Sequence, residues 1–472
     1  MFIGIKIIME LNNQKNSIIY PNLENCTIAI IGLGYVGLPL AVEFSKENKC
    51  NLTGKKLNRK VIGFDINIKR LQELRDGFDK TNEISKETLL NIKFHDLTNE
   101  IHSLAIADVF IVTVPTPIND EKIPDLNALK NASSIVGSAL KIRNEKAKEI
   151  NNKSIPIVVF ESTVFPGTTE EICVPIIGEK LGISNIEIDK NSHFAFGYSP
   201  ERINPGDKEH TLRNIKKITS GNNQKSSEWI NNLYGSIIDA GTYSTKSIKV
   251  AEAAKIIENT QRDLNIALIN ELAIIFNLMN IDTLDVIEAA STKWNFLNFK
   301  PGLVGGHCIG VDPYYLTYKS KQLGYSPEIV LAGRKINDNM GKWVADNIIL
   351  ELSKRNLNLT KSTVLILGFT FKEDCSDIRN TRVIDIVNNL KKFKLNLDVV
   401  DPLADKEEVK IIYNLDANNK IPNKKYEVIV CAVAHKQFIE IETYKWKELL
   451  SKKGFIYDLK GIVPREFNVI RL

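Results

Sequence analysis

A cysteine and an aspartate four residues later lie in the most informative segment of the sequence. Cys308 follows two glycines and a histidine, and one helical turn would bring the carboxylate of Asp312 to the same face as the thiol. A thiol can attack an aldehyde carbon, and a nearby carboxylate can accept a proton from water. The small Gly305 before them would let a ligand approach the backbone closely. A buried, unreactive cysteine is the alternative interpretation.

A second set of polar residues lies on a long run without glycine or proline, residues 247–280. Its apolar periodicity predicts one long helix, of a length that often joins two domains. Lys255 and Asn259 are four residues apart, so a helix would present an ammonium and an amide on one face to a developing oxyanion. Arg262 falls on the same stripe. A solvated polar face is the alternative, although the sequence neighbours of Lys255 are apolar.

Two further segments carry charged residues where a ligand could bind. The loop at 199–206 contains two prolines and sets Glu201 beside Arg202, which suits a sugar or a phosphate, with a structural turn as the alternative. Lys372 follows a predicted strand, a usual ligand position in open α/β sheets. His307 adjoins the cysteine, but no paired acid is evident, so we interpret it as a neighbour and not as a catalytic base.

A glycine-rich motif predicts a dinucleotide site. Gly32, Gly34 and Gly37 form a GxGxxG pattern after a predicted strand, suited in turn to a tight bend, close approach to a pyrophosphate and helix–strand packing. Asp65 ends the next strand, where a carboxylate binds a ribose hydroxyl and repels the extra phosphate of NADP, so NAD is favoured. Arg70 is expected along the adenosine. A glycine turn without a cofactor and a solvated arginine are the alternatives.

Strand candidates surround both groups of functional residues. In the first half of the chain they are the apolar runs at 27–34, 60–66, 108–115 and 155–163. In the last part they are the runs at 362–369, 395–402, 426–435 and 454–461. Continuous Val and Ile runs separated by helical stretches are typical of parallel sheets covered on both faces. The sequence therefore predicts an α/β chain with two Rossmann-like parallel-sheet domains joined by a long central helix.

Composition excludes several classes of protein. The 472 residues, 25% of them charged, indicate several ordinary globular domains. A net charge of +5 over this length gives no nucleic-acid footprint. No apolar segment reaches the ~18–20 residues of a membrane span, and the N-terminus does not resemble a signal peptide. Six scattered cysteines argue against a disulfide framework or a metal site and favour the reducing cytoplasm.

The chain resembles the UDP-glucose/GDP-mannose dehydrogenase family over nearly its whole length, from Thr27 onwards. The motifs that carry the resemblance are IIGLGYVGLPLA, VPTP, ESTVFPGTTE, SPERINPGD, EAAKIIENTQRDLNIALINE, GLVGGHCIGVDPYYL and GFTFKEDCSDIR. The segments SPERINPG, KWNF and GGHCIGVDPYYL look most like the UDP-N-acetylhexosamine branch. They are most similar to the UDP-GlcNAc/UDP-GalNAc 6-dehydrogenases of surface-polysaccharide and capsule synthesis.

The resemblance implies a four-electron oxidation of the sugar C6 alcohol to a carboxylate with two NAD+. It makes Cys308 the nucleophile that forms a thiohemiacetal and then a thioester, Lys255 and Asn259 the oxyanion donors, and Asp312 and Glu201 the groups that manage water and protons. The cofactor positions are Gly32, Gly34, Val36, Gly37, Asp65, Arg70, Thr116, Thr163 and Arg379. The UDP-sugar positions are Arg202, Arg262, Gly305 and Lys372.

The resemblance also divides the chain into four parts. They are an N-terminal extension (1–25), an NAD-binding Rossmann-like domain (26–220), a central helical and dimerisation region with the catalytic cysteine (221–355), and a C-terminal UDP-sugar-binding Rossmann-like domain (356–472). The long helix would carry a homodimer interface. We expect a cytoplasmic enzyme without a metal, a nucleic-acid partner or a membrane partner.

Two departures from the family pattern leave the sugar open. Ile118 stands where UDP-glucose members carry a threonine, and residues 291–294 lack the arginine of those members and the His-x-Arg of the UDP-ManNAc branch. UDP-ManNAc and UDP-glucose therefore remain alternative substrates. A two-electron dehydrogenase of a small hydroxy acid would need neither the thiol nor a second nucleotide-type domain. A catalytically silent nucleotide-sugar sensor would be expected to lack the cysteine or the lysine.

Overall fold

The computed structural model describes residues 19–46, 48–149, 154–184, 193–203, 211–467 and 469–472. Residues 1–18 of the expected N-terminal extension and residues 204–206 of the loop around Glu201 lie outside the described residues. The chain divides into two compact units, Met1–Ile256 and Ile257–Leu472. Each unit contains one sheet.

The first unit has a mainly parallel sheet. Its strands are β1 (Thr27–Ile31), β2 (Lys60–Phe64), β3 (Asp96–Thr98), β4 (Val109–Val112), β5 (Ile157–Phe160), β6 (Ala195–Tyr198), β7 (Lys217–Gly221) and β8 (Thr242–Ser244). Among the described residues their order is β3-β2-β1-β4-β5-β6-β7-β8, and β6 and β7 form the antiparallel pair. Strands β1, β4, β5 and β6 are fully buried, as expected where helices cover both faces. The first six strands follow the order of dinucleotide-binding folds, in which ligands bind beside β1 and β4.

Helices connect these strands, and several begin with a side-chain cap. They are α1 (Gly37–Ser45), α2 (Ile68–Arg75), α3 (Lys86–Asn91), α4 (Asn127–Glu149), α5 (Val174–Leu181) and α6 (Gln224–Gly235), with a 3₁₀-helix at Ile101–Ile106 and a π-helix at Thr169–Cys173. The side chain of Asn67 accepts the N–H of Arg70 at the start of α2. Asn223 and Ser226 form a capping box at the start of α6. Such caps satisfy N–H groups that the first helical turn leaves unpaired.

One helix, α7 (Ile248–Leu278), runs for 31 residues and includes the last residues of the first unit. It coincides closely with the helix predicted at 247–280. Its length follows from the absence of glycine and proline in this stretch. Among the described residues, neither this helix nor another is both long and apolar enough to cross a membrane.

The second unit has a parallel sheet with the same relative strand order as the first. Its strands are β9 (Thr363–Leu367), β10 (Asn396–Val400), β11 (Ala417–Asn418), β12 (Tyr426–Cys431), β13 (Leu450–Asp458) and β14 (Val469–Arg471). Within the described residues they lie in the order β11-β10-β9-β12-β13-β14. The predicted fold class, an α/β chain with two Rossmann-like parallel sheets and a long central helix, is confirmed.

Helices precede and connect the strands of this second sheet. They are α8 (Thr283–Ser291), α9 (Asp312–Gln322), α10 (Glu328–Lys354), α11 (Val383–Lys392), α12 (Lys406–Tyr413), α13 (Lys436–Ile439) and α14 (Thr443–Leu449), with a 3₁₀-helix at Leu359–Lys361. Val344 and Ile348 of α10 belong to one buried cluster with Ile386 of α11 and Val364 of β9. This core holds the loops that follow β9 and precede α9, where several candidate residues lie.

A buried carboxylate ties the first turns of α7 to the segment after β5. Glu252 accepts the N–H of Gly167 at 2.6 Å and that of Thr169 at 2.9 Å. Burial raises the pKa of Glu252 to about 7, although both N–H groups favour its ionised form. Glu252 lies one turn before Lys255, so this contact positions the part of α7 that carries the lysine.

The raised pKa of Glu252 predicts that stability falls as the pH rises. The stabilisation from the protonated carboxyl is complete below its usual pKa of 4.5 and is lost as the pH rises through about 7. We expect a loss of about 3 kcal/mol over this range, seen as a falling thermal midpoint. The Glu252→Gln variant, which does not ionise, should lose less.

A matched control is Glu171→Gln, which removes an exposed carboxylate that pairs with Lys249 at 2.8 Å. Exposed ion pairs contribute ~0–1 kcal/mol, so this variant should follow the pH dependence of the unmodified chain. Identical pH profiles for the unmodified chain and Glu252→Gln would show that Glu252 keeps its usual pKa.

Candidate active site

The glycine-rich loop after β1 leaves open space at one of its glycines. A Cβ at Gly34 would meet no atom within 4 Å, whereas a Cβ at Gly37 would lie 1.8 Å from the carbonyl oxygen of Gly32. Gly32 has a φ of 97°, which side chains rarely tolerate. Gly32 and Gly37 are thus needed for the turn and the packing of α1. The open side at Gly34 forms a cradle at a helix N-terminus, suited to a phosphate group.

Two charged side chains hold this loop. Asp65 accepts the N–H of Leu33 at 2.9 Å and that of Asn67 at 2.8 Å. Arg70 is buried, donates from Nε to the carbonyl oxygen of Leu33 at 3.0 Å, and pairs through Nη2 with Asp79 at 2.7 Å. Its Nη1 is buried and has no hydrogen-bond partner among the described residues. A donor left over beside an open glycine loop fits an oxygen-rich ligand such as NAD.

Three other predicted cofactor residues lie near the carboxyl ends of the same sheet. Thr116, which follows β4, donates its hydroxyl to the carbonyl oxygen of Thr163, which follows β5, at 2.7 Å. Val36 precedes the first residue of α1. The structure therefore brings these residues to the edge of the sheet at which the glycine loop lies. The remaining predicted cofactor residue, Arg379, lies in the second unit.

The loop after β6 folds the predicted acid back onto its own backbone. Oε1 of Glu201 accepts the N–H of Arg202 at 2.6 Å and that of Ile203 at 2.5 Å. The guanidinium of Arg202 donates to the carbonyl oxygen of Lys216 at 2.8 Å. Glu201 is buried and Arg202 is half-buried. Glu201 and Arg202 are thus adjacent, but each side chain is held by hydrogen bonds to different backbone groups.

A buried charged cluster that was not predicted from the sequence lies beneath this loop. Nζ of Lys217 lies 2.7 Å from Oε2 of Glu161 and 3.6 Å from Oε2 of Glu201, and the hydroxyl of Tyr234 donates to Glu161. Burial raises the pKa of Glu161. Burial opposes the Lys217 ammonium, but the two carboxylates outweigh it and raise the pKa of Lys217. The available signal was an ionisable residue adjoining β5 and another at the start of β7, two strands with buried sequences.

In the second unit, the cysteine and its carboxylate adopt the predicted helical turn. The N–H of Asp312 donates to the carbonyl oxygen of Cys308 at 2.8 Å, and Asp312 is the buried first residue of α9. The side-chain amide of Asn259 on α7 donates to Oδ2 of Asp312 at 2.5 Å. Cys308 is partly exposed. The structure thus brings the Cys308 segment, Asp312 and Asn259 together.

The glycines before the cysteine face protein, which differs from the reason given by sequence. A Cβ at Gly305 would lie 2.7 Å from the carbonyl oxygen of Asn380, and one at Gly306 would lie 2.7 Å from the ring of Phe371. The segment before Cys308 is therefore fitted against the loop that follows β9. This close fit fixes the backbone of the cysteine segment.

The prediction that His307 has no paired acid is wrong. Nε2 of His307 lies 2.8 Å from Oδ2 of Asp377. Arg379 pairs with the same carboxylate through Nε at 3.0 Å and Nη2 at 2.8 Å. Although burial opposes it, these hydrogen bonds hold the pKa of Asp377 well below its usual range. Asp377 lies far from His307 in the sequence, so no local spacing could reveal the pair.

Three remaining candidates occupy different environments. Lys255 is buried on α7, whereas Arg262, two turns later on the same helix, is exposed. The stripe inferred from spacing therefore does not have uniform burial. Nζ of Lys372 lies 5.6 Å from the ring centroid of Phe371, in the loop after β9.

The loop after β9 repeats the arrangement of the first sheet with a more deeply buried acid. Asp401 follows β10 and accepts the N–H of Phe369 at 2.6 Å and that of Thr370 at 3.0 Å. Nε2 of the buried His435 lies 2.9 Å from the same carboxylate. Burial opposes it, but His435 and these N–H groups lower the pKa of Asp401 to about 2. Gly368 has a φ of 92° at the start of this loop.

Models of one family match three successive stretches of the chain. Residues 26–238 match the NAD binding domain of the UDP-glucose/GDP-mannose dehydrogenase family. Residues 249–339 match its central domain, and residues 365–465 match its UDP binding domain. The glycine loop and Asp65 lie in the first match, Cys308 lies in the second, and the loop after β9 lies in the third.

Similar proteins span nearly the whole chain. A UDP-N-acetyl-D-glucosamine 6-dehydrogenase of Salmonella typhi is 51% identical over 450 residues, covering 95% of this chain and 99% of the relative. A second UDP-N-acetyl-D-glucosamine 6-dehydrogenase, from Pseudomonas aeruginosa, is 47% identical over 450 residues, covering 95% of this chain and 100% of that relative. A solved UDP-D-ManNAc dehydrogenase of Pyrococcus horikoshii has a TM-score of 0.80 and 26% identity, covering 94% of this chain and 98% of that chain.

Replacing Gly34 with alanine should separate cofactor binding from folding. The added methyl group meets no protein atom within 4 Å but occupies the cradle, so the thermal midpoint should stay unchanged. We expect the NAD+ dissociation constant, measured by calorimetry, to rise at least ~10-fold, about 1.4 kcal/mol.

The contrasting variant is Gly37→Ala, whose methyl group would lie 1.8 Å from the Gly32 carbonyl oxygen and should lower the thermal midpoint. Unchanged NAD+ affinity in Gly34→Ala would place the pyrophosphate elsewhere.

Proposed function

Because the chain belongs to the UDP-glucose/GDP-mannose dehydrogenase family and is an NAD-dependent nucleotide-sugar dehydrogenase, we propose that it oxidises UDP-N-acetylglucosamine or UDP-N-acetylgalactosamine at C6 to the uronic acid. The names of the Salmonella typhi and Pseudomonas aeruginosa relatives support the first of these sugars. UDP-ManNAc and UDP-glucose are the alternatives. The observation that best supports this proposal is the cluster of Cys308, Asp312 and Asn259. Such a cluster suits oxidation of an aldehyde to an acid through a covalent bond to the thiol.

The overall reaction consumes one alcohol, one water and two NAD+, and releases one carboxylate, two NADH and three protons. NAD, when bound, supplies the acceptor for each hydride. The first unit provides the residues that would hold it: the glycine loop, Asp65 toward a ribose hydroxyl, and the Nη1 donor of Arg70. Thr116, Thr163 and Val36 would line the same edge, and Arg379 is also proposed as a cofactor contact.

The thiol of Cys308 is the proposed nucleophile for the aldehyde stage. Its sulfur forms a bond to the aldehyde carbon, and the thiol proton ends on the aldehyde oxygen, which gives a thiohemiacetal. Loss of a hydride and of the hydroxyl proton then gives a thioester. The backbone hydrogen bond from the N–H of Asp312 to the carbonyl oxygen of Cys308 would keep the sulfur in place. The close packing of Gly305 and Gly306 against the loop after β9 would have the same effect.

Two residues on α7 are proposed as oxyanion donors. The amide of Asn259 is oriented by its bond to Asp312, so its donor direction is fixed before substrate binds. Lys255 lies one turn earlier, is buried, and would contribute an ammonium. Donors that are already oriented stabilise developing negative charge without reorganisation during the reaction.

Hydrolysis of the thioester releases the acid. A water oxygen bonds to the thioester carbon, the carbon–sulfur bond breaks, and the sulfur leaves as a thiolate. Glu201 is proposed to accept the proton from this water, with Asp312 as the second carboxylate. Arg202, Arg262, Gly305 and Lys372 are proposed to contact the UDP-sugar.

We assign the enzyme to the cytoplasm, to surface-polysaccharide synthesis and to a homodimer. Scattered free cysteines support the location, and the resemblance of the motifs supports the pathway. The later part of α7 exposes Leu268, Ile275 and Leu278, an apolar face that suits a subunit interface. Sedimentation should therefore give twice the chain mass of 53.2 kDa.

Counting NADH against sugar tests the proposed reaction. Purified protein should be incubated to completion with excess NAD+ and limiting UDP-GlcNAc, UDP-GalNAc, UDP-ManNAc or UDP-glucose in separate reactions. We expect two NADH per sugar with an N-acetylated substrate, because the aldehyde is carried on to the acid.

Each other result has a definite meaning. One NADH per sugar would indicate a two-electron dehydrogenase. Signal with UDP-glucose alone would move the protein to another branch of the family. Tight binding of a UDP-sugar without NADH formation would indicate a sensor.

A further inference from the structure

The first unit buries two opposite charges that the proposed mechanism does not use. The side chains of Lys217 and Glu161 are 3% and 0% exposed, and Nζ lies 2.7 Å from Oε2. Removing two charges from water is costly even when they pair, so a pair at this depth is weak support for stability. The pair lies beside the loop that carries Glu201, which points to a role other than stability.

Glu201 is the third member of this cluster. Its Oε1 is fixed by two backbone N–H groups, those of Arg202 and Ile203. Its Oε2 is buried, has no hydrogen-bond partner among the described residues, and lies 3.6 Å from Nζ of Lys217. The proposed base is therefore oriented by its own loop on one side and faces a buried ammonium on the other.

Lys217 is shared unequally between the two carboxylates. It makes a hydrogen bond to Glu161 and a longer contact to Glu201. The hydroxyl of Tyr234 on α6 donates to Glu161, and its ring centroid lies 5.2 Å from Nζ. Within the part of the chain that the structure describes, the charged and titratable groups around Glu201 are Glu161 beside β5, Lys217 on β7, Tyr234 on α6 and the adjacent Arg202.

On the basis of the proposed function, we propose that Glu161 and Lys217 are positioning residues that hold Glu201 and set its basicity for the water step. Nζ of Lys217 lies 3.6 Å from Oε2 of Glu201 and attracts this carboxylate electrostatically. Glu161 lies closer to the same ammonium and partly neutralises it, which weakens the attraction between Lys217 and Glu201. The pair acts through Glu201 and need not touch the substrate.

Single substitutions should move the pH dependence of turnover in opposite directions. In Glu161→Gln, the ammonium of Lys217 no longer pairs with a second carboxylate and attracts Glu201 more strongly. The acid limb of the kcat profile should therefore move to lower pH. In Lys217→Met, two carboxylates face each other without the ammonium, so the acid limb should move to higher pH. We expect shifts of roughly one pH unit in each case.

A second readout locates the affected step. Hydrolysis follows both oxidations, so NADH formed in the first turnover should appear at the unmodified rate. On the acid limb of the profile, steady-state kcat should fall by up to ~10-fold in Lys217→Met, because a protonated Glu201 is a poor base. The matched control is Lys216→Met, which removes an exposed neighbouring lysine and should leave both readouts unchanged.

The outcomes separate this proposal from the proposed function. If the unmodified protein makes no uronate, the proposed function itself fails. If it makes uronate, but Glu161→Gln and Lys217→Met keep its pH profile or shift it in the same direction, the positioning role is overturned. Should Lys217→Met not fold, Glu161→Gln and Lys217→Arg decide: a shift to lower pH in the first and a restored profile in the second support the role, and their absence overturns it.

Discussion

Both sheets depend on one interaction: a carboxylate at the end of the second strand binds the N–H groups of the loop after the first. Asp65 accepts from Leu33 at 2.9 Å, and Asp401 accepts from Phe369 at 2.6 Å. The chain must leave a buried strand and turn sharply here, so N–H groups are left without strand partners. The acid satisfies them and fixes the loop on which each nucleotide-type site is built.

The two sheets use this interaction differently. Asp65 is partly exposed, so the edge around it can meet a ribose, and the neighbouring cradle at Gly34 is open. Asp401 is fully buried and also contacts His435, so its carboxylate interacts with protein groups and not with a ligand. In the second sheet the loop after β9 instead packs against the cysteine segment and supplies Asp377 to His307. The same fold thus binds a dinucleotide in the first unit and supports the Cys308 segment in the second.

Sequence reasoning succeeded where chemistry is encoded locally. The glycine motif and the turn from Cys308 to Asp312 depend on spacings of a few residues, and helical or strand periodicity predicted α7 and both sheets. Observed strands are shorter than the apolar runs because apolar residues continue into the buried loops at strand ends. The pairs Glu161–Lys217 and His307–Asp377 join distant parts of the chain. No local pattern specifies such pairs, because only the folded sheet brings their members together.

The proposed covalent route is tested most directly by mass spectrometry of the peptide that contains Cys308. Protein, NAD+ and UDP-N-acetylglucosamine should be mixed and quenched with acid during turnover. We expect this peptide to gain the mass of the sugar-nucleotide aldehyde less two hydrogens, as for a thioester. The Cys308→Ser variant should lack this adduct. Formation of uronate by a protein whose Cys308 peptide stays unmodified throughout turnover would contradict the mechanism.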